Sequence, residues 1–159
     1  MIEEFEKFKE LQKNISYQID YTANFNRSFR REFQMQYISK EITPDEFAIL
    51  YALHFVPDIS QSELAKLLFK GKAHVGKILN EMEIRGLIKR IADTRDNIII
   101  KRNEMTPAGK ELFAKGHKEF DRIKEEMQKE FTDEDRKKFI EYLKKFRKVL
   151  NSMVDVKLK

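Results

Sequence analysis

Three lysines and a histidine fall within eight residues, Lys70, Lys72, His74 and Lys77. Lysine can donate to a phosphate oxygen or to the O6 and N7 of guanine, and a neutral imidazole can donate or accept. Some twenty residues on, the run DTRDN sets Arg95 between Asp93 and Asp96 beside Asn97, with Lys101 and Arg102 further along. This is the chemistry of holding an anion or reading a base edge. The competing reading of each cation is an ordinary solvated surface. Catalysis has no comparable support. His54, His74 and His117 are scattered, with no H-x-x-x-H pair and no adjacent nucleophile. Metal sensing would want clustered His and carboxylates, whereas Glu3-Glu4 and Glu125-Glu126 read as helix surface. No phosphate-cradling glycine loop occurs. The chain contains no cysteine, which excludes disulfides, thiol redox sensing and thiolate metal sites. No cofactor, no metal and no enzymatic activity are expected.

Something must position those cations, and the sequence supplies it. Ser60 with Glu63 three residues on is a capping box, in which the hydroxyl accepts an amide and the carboxylate reaches back. Leu64, Leu67 and Leu68 give the helix that follows one apolar face. Gly71 breaks the chain. Val75, Ile78, Leu79 and Met82 then stripe a second helix, Lys72 to Arg85, which stops at Gly86. Helix, tight glycine turn and helix are the parts of a helix-turn-helix. The β-prone runs Leu87 to Ile91 and Ile98 to Ile100 flank DTRDN and make a hairpin, or wing. Upstream, Thr43-Pro44-Asp45-Glu46 is a helix start by N-cap, proline and acidic first turn. Its helix turns Phe47, Ile49, Leu50 and Leu53 inward and ends near Pro57. Thr106-Pro107 and Thr132-Asp133-Glu134 start two more.

Net charge is +5 over 159 residues, unevenly spread. Residues 1–59 carry 7 Lys/Arg against 10 Asp/Glu, residues 60–106 carry 10 against 6, and residues 107–159 carry 15 against 11. An acidic first third and a basic remainder suit a protein presenting one face to phosphate. In the C-terminal third the lysines read as solvated helix faces; over residues 70–102 they sit on a reading module. No apolar run is long enough to span a bilayer, and the opening MIEEFEKFKE is no signal peptide. The expectation is a cytoplasmic protein with no membrane partner.

The outer helices carry a different message. Ile2, Phe5, Phe8, Leu11, Ile15 and Ile19 recur at steps of three and four, an amphipathic helix. Phe25, Phe29 and Phe33 resume the stripe out of phase, and the polar patch Thr22-Ala23-Asn24 between them bends the helix or divides it between two partners. Phe113, Gly116, Phe120, Ile123 and Met127 form one seam, and Phe139, Leu143, Phe146, Leu150 and Met153 another, of the kind that packs helix on helix. A winged module is too small to cover them. The N-terminal helix and a second subunit are the expected partners, with Ile2, Phe5, Phe8, Leu11, Phe120, Ile123, Leu143, Phe146 and Leu150 at the dimer contact. A two-fold dimer also matches a pseudo-palindromic operator. The alternative is packing within one chain.

Four motifs in order, SQSELAKLL, VGKILNEMEIRGLIKR, DTRDN and MTPAGKEL, resemble the MarR family of transcriptional regulators. The resemblance is strong over Ile42 to Phe113 and extends to the flanking helices by length and placement. It implies a mainly α fold with a small β-wing: a winged helix-turn-helix core at 42–106, an N-terminal dimerisation and effector helix region at 1–41, and C-terminal dimerisation helices at 107–159. It implies a homodimer on double-stranded DNA. The helix from Lys72 would enter the major groove, with Lys72, Ala73, His74, Gly76 and Lys77 facing base edges and phosphate. Gln61 and Ser62 would meet phosphate at the preceding helix start. Ala73 and Gly76 stand where relatives carry hydroxyl residues, so the helix offers few directional groups and modest selectivity. Relatives place an arginine after D-x-R-D-x and push it into the minor groove; here that position is Ile98. Arg95 is its substitute or, held by Asp93 and Asp96, a structural brace. Some relatives sense oxidants through a cysteine, a route closed to this chain.

By the same resemblance, an effector would lodge between the N-terminal helix and the DNA-binding lobe. Tyr17, Tyr21, Phe25, Phe47, Tyr51 and His54 could line such a cleft and take a small aromatic or acidic molecule, or they are simply core aromatics. The leading reading is thus a ligand-tuned dimeric regulator, a repressor. The alternatives are a DNA-binding regulator without effector and a winged-helix protein-interaction module.

Overall fold

The computed structural model describes residues 11–95 and 98–156, and over 92–95 and 98–101 the backbone alone. The chain divides into two compact units, Met1–Pro44 and Asp45–Lys159.

In the first unit, α1 spans Ile15–Phe33. Its start is set by Asn14, whose side-chain oxygen accepts the Tyr17 amide at 3.2 Å. The helix runs unbroken through Thr22-Ala23-Asn24. Those residues cost a helix only tenths of a kcal/mol each. At the start, Asn14 satisfies one of the first-turn amides that have no carbonyl within the helix. After Phe33 the chain widens into a single π turn, Gln34–Ile38, closed by the Ser39 amide on the Gln34 carbonyl at 2.9 Å. Gln34 is buried and donates its side-chain amide to the Ile42 carbonyl. Phe29, Phe33 and Tyr37 pack in sequence as tilted rings, at 5.4 and 4.9 Å between centroids. Ile2, Phe5 and Phe8 lie outside the described residues.

Helix α2 covers Pro44–Phe55, lies in the second unit from Asp45 on, and buries Phe47, Ile49, Leu50 and Leu53 as expected. Two shorter helices follow, α3 at Gln61–Leu68 and α4 at Lys72–Ile84. The Ser60–Glu63 capping box is formed in both directions, at 3.2 and 2.8 Å. Leu64 is fully buried, but Leu67 is half exposed, so the apolar face of α3 is narrower than its three leucines suggest. Val75, Ile78, Leu79 and Met82 are all buried. The turn between the helices departs from expectation. Gly71 has ordinary extended dihedrals, and the left-handed residue is Phe69, at φ 53°. The Lys70 amide closes on the Ala65 carbonyl at 3.0 Å, a helix ending that requires a positive φ at Phe69, two residues before the glycine.

Gly86 does adopt a positive φ, 69°, and turns the chain out of α4. Strands β1, Ile88–Arg95, and β2, Ile98–Met105, pair antiparallel from Ile88 opposite Met105 to Arg95 opposite Ile98. The wing strands are therefore longer than the β-prone runs alone. Thr106 caps the next helix, α5 (Pro107–Glu130), accepting the Gly109 amide at 3.1 Å and donating to the Gly86 carbonyl at 2.6 Å. The last helix, α6 (Asp133–Met153), opens on a Thr132–Asp135 capping box. The described chain is thus mainly α with one two-stranded wing. None of its described helices is long and apolar enough to cross a membrane.

Candidate nucleic-acid interface

The first two turns of α4 leave Lys72, Ala73, His74 and Lys77 exposed, while Val75, Ile78 and Leu79 anchor the opposite side. Periodicity alone produces this: a buried position at 75, 78 and 79 forces 73, 74 and 77 outward. No side chain caps the helix at Gly71. Among the described residues, Lys72 has no carboxylate at ion-pair distance. Lys77 has Glu81 at 3.7 Å, one turn on, with both groups well exposed. Such a pair is weak and competes poorly with phosphate. Lys70 is half-buried and paired with Asp45 at 3.2 Å, which ties the turn to the start of α2.

The two residues expected to meet phosphate stand at the start of α3. Gln61 is exposed, but its Nε2 donates to the Lys72 carbonyl at 2.9 Å, so its amide group bridges α3 to the first turn of α4. Ser62 is half-buried. Gly76 sits one turn beyond Lys72, and a Cβ there would lie 2.9 Å from Gln61 Nε2. The glycine that looks like a missing base contact is the space Gln61 occupies.

Sequence reasoning did not pick out Arg90. Its side chain is largely buried, donates from Nη2 to the Gly76 carbonyl at 3.2 Å and lies with Nε 3.5 Å from Glu83 Oε2. Glu83 also accepts the Arg90 amide, at 3.1 Å. The one available signal was Gly76 itself, since a glycine inside a helical stripe often marks a close approach by another group. The Arg85–Glu46 pair was likewise missed. Elsewhere on the wing, Lys89 meets Glu104 at 3.0 Å, and Arg102 bonds Glu104 and faces Asp58 at 3.8 Å. Lys89 first and Arg102 second hold the Glu104 carboxyl below its ordinary range. Arg102 is thus engaged within the chain. Asn97 and the side chains of Arg95 and Lys101 lie outside the described residues.

The six effector candidates fall three on each unit. Tyr17 and Tyr21 stack at 6.3 Å on α1, and Phe25 is exposed. Phe47 is core: its ring lies 5.2 Å from Phe120, and Gly116 leaves room for it. Tyr51 and His54 are exposed, with His54 stacked on Phe113 at 4.3 Å and His117 next along, 5.3 Å from Phe113. His117 and Phe55 join this cluster although no sequence pattern links them to His54. On the seams, Phe120, Ile123, Leu143 and Phe146 are half-buried, and Leu11 and Leu150 are exposed. Helix α6 buries none of its residues within the single chain.

Comparison with known proteins agrees with this geometry. Residues 41–97 match the model of the MarR family. The chain is 29% identical over 112 residues to YdgJ of Bacillus subtilis (strain 168), named an uncharacterized HTH-type transcriptional regulator, covering 70% of this chain and 68% of that one. Among solved structures it is similar to Staphylococcus aureus MepR in complex with DNA, at a TM-score of 0.73 and 20% identity, over 87% of this chain and 98% of that one. It is also similar to the Streptomyces coelicolor PcaV regulator bound to its natural ligand, at 0.66 and 14%, over 87% and 94%. At those identities the solved structures establish a shared fold.

Proposed function

We propose for this chain the role of a homodimeric, ligand-tuned repressor of the MarR type, a DNA-binding transcription regulator and not an enzyme, a reading supported by the family match over residues 41–97 and by the HTH-type relative. The observation that carries the reading is the first half of α4, where Lys72, His74 and Lys77 stand exposed on a firmly buried helix beside a two-stranded wing. Inserted in a major groove, His74 would face base edges and Lys72 and Lys77 the phosphate backbone. Two copies related by a two-fold would read the halves of a pseudo-palindrome, with the apolar faces of α5 and α6 covering one another. The similarity to MepR with DNA and to PcaV with its ligand supports the DNA target and a small-molecule effector. The effector would be a small aromatic or acidic compound, held by aromatic walls and the Tyr51 and His54 handles.

Electrophoretic shift with a duplex enriched by the protein from a randomised pool tests this. Binding that survives excess shuffled duplex at low salt and falls steeply as salt rises supports the reading. Equal capture of the shuffled duplex, or binding indifferent to salt, refutes it. Adding phenolic and fatty acids to the same assay separates a ligand-tuned regulator from one without effector. The protein-interaction reading is favoured only if the pool yields no enriched duplex at all.

A further inference from the structure

The carbonyls of Lys72 and Gly76 lie one helical turn apart, on one row of α4, and each receives a side chain from a different element. Gln61 Nε2 of α3 donates to Lys72 at 2.9 Å, and Arg90 Nη2 of β1 donates to Gly76 at 3.2 Å. The two donors meet the helix beside the residues that would face the bases. Glu83 stands behind Arg90, accepting its backbone amide at 3.1 Å and lying at ion-pair distance, 3.5 Å, from Nε, which makes no hydrogen bond among the described residues. Gly76 is the shared element, since any side chain there would push Gln61 away.

We propose that Gln61 and Arg90 are positioning residues for base readout: they clamp α4 in rotation and along its axis, and Arg90 makes the wing strand and the reading helix move as one. The inference rests on the DNA-reading role proposed above. Its physical basis is a difference in tolerance. Hydrogen bonds to base edges are directional and weaken over tenths of an ångström, while a lysine's attraction to phosphate is long-ranged and forgiving. Loosening the clamp therefore harms sequence discrimination more than general affinity. Arg90 is largely buried, so it acts through Gly76 and not on DNA directly.

The test uses the full-length protein, the duplex enriched by the wild type from a randomised pool, and a shuffled duplex of the same composition. Arg90→Lys keeps the charge facing Glu83 but loses the planar fork that also reaches Gly76. Gly76→Ala displaces Gln61 while improving helix propensity. Each variant should lose about tenfold on the enriched duplex and less than twofold on the shuffled one, with an unchanged salt slope. Gly76→Ala should do so without lowering Tm, which a merely structural role would not produce. Equal losses on both duplexes with a shallower salt slope would make Arg90 a phosphate ligand and overturn the proposal. So would unchanged discrimination in Gly76→Ala, which does not depend on how Arg90→Lys folds. Failure of the DNA-reading role itself is seen separately, as a wild-type protein that enriches nothing.

Discussion

Arg85 Nη1 donates to Glu46 Oε1 across 2.6 Å, joining the end of α4 to the first turn of α2. The carboxylate is 5% exposed and the guanidinium side chain 37%. A charge that well buried is tolerable only because it is paired, and removing one partner leaves the other in low-dielectric surroundings. The pair sits thirty-nine residues apart in sequence and holds the back of the reading helix, away from the cations.

Arg85→Ala should cost about 2 kcal/mol in urea unfolding, because the Glu46 carboxylate loses its guanidinium partner. Glu46→Gln should cost less, since an amide stays tolerable where a carboxylate does not. The double variant should be less destabilised than the sum of the singles. Strict additivity would mean the two groups do not share an interaction, and the unfolding midpoints decide it.

The salt dependence of binding separates the two exposed lysines of α4 from Lys70. Lys72→Ala and Lys77→Ala should each reduce the slope of log affinity against log salt by about one. Lys72, with no carboxylate in reach among the described residues, should show the larger loss of affinity; Lys77 must first leave Glu81. Lys70→Ala should change the slope little, because Lys70 is already paired with Asp45. A Lys70 effect as large as that of Lys72 would place the turn itself against the backbone.

How far the sequence went is clearest at the caps. Ser60 with Glu63, Thr106 with Pro107 and the positive φ at Gly86 follow from local chemistry, and all are present. Phe69 is the counterexample. Nothing in its residue type favours φ 53°; the position is imposed by the Lys70 amide closing on Ala65, while the nearby glycine goes unused. The π turn at Gln34–Ile38 is similar, since a one-residue widening leaves no trace in a three-and-four periodicity. At the site, the exposed cations of α4 were readable because burial of their neighbours forces them outward. Gln61, Arg90 and Arg85 were not, because each role depends on a partner that only the fold brings near.

Assembly is the third prediction. Leu143 and Phe146 are half-buried on α6, a helix none of whose residues is buried in the single chain. Replacing both with glutamate should yield monomers by light scattering with the helical content retained. Operator affinity should collapse with the dimer, since a single half-site keeps only part of the contact. An intact dimer would move the contact to another face of the outer helices.

The wing supplies the last prediction, because there the chain departs from what the resemblance implies. Arg95 and Ile98 stand directly opposite one another at the end of the hairpin register. Arg95→Ala should weaken binding while leaving the dimer and its Tm nearly unchanged. Unchanged affinity would mean that α4 reads DNA alone and that Arg95 is only a brace for Asp93 and Asp96. Ile98→Arg restores the arginine at the family's position and sets a second cation across from Arg95. Binding should then tighten, most on A·T-rich flanks, whose narrow minor groove concentrates negative potential. The comparison of A·T-rich with G·C-rich flanks matters more than the gain alone. Any added arginine strengthens attraction to phosphate, and that general effect is the same on both flanks. A gain confined to A·T-rich duplexes places the wing tip in the minor groove; an equal gain on both leaves it against the backbone.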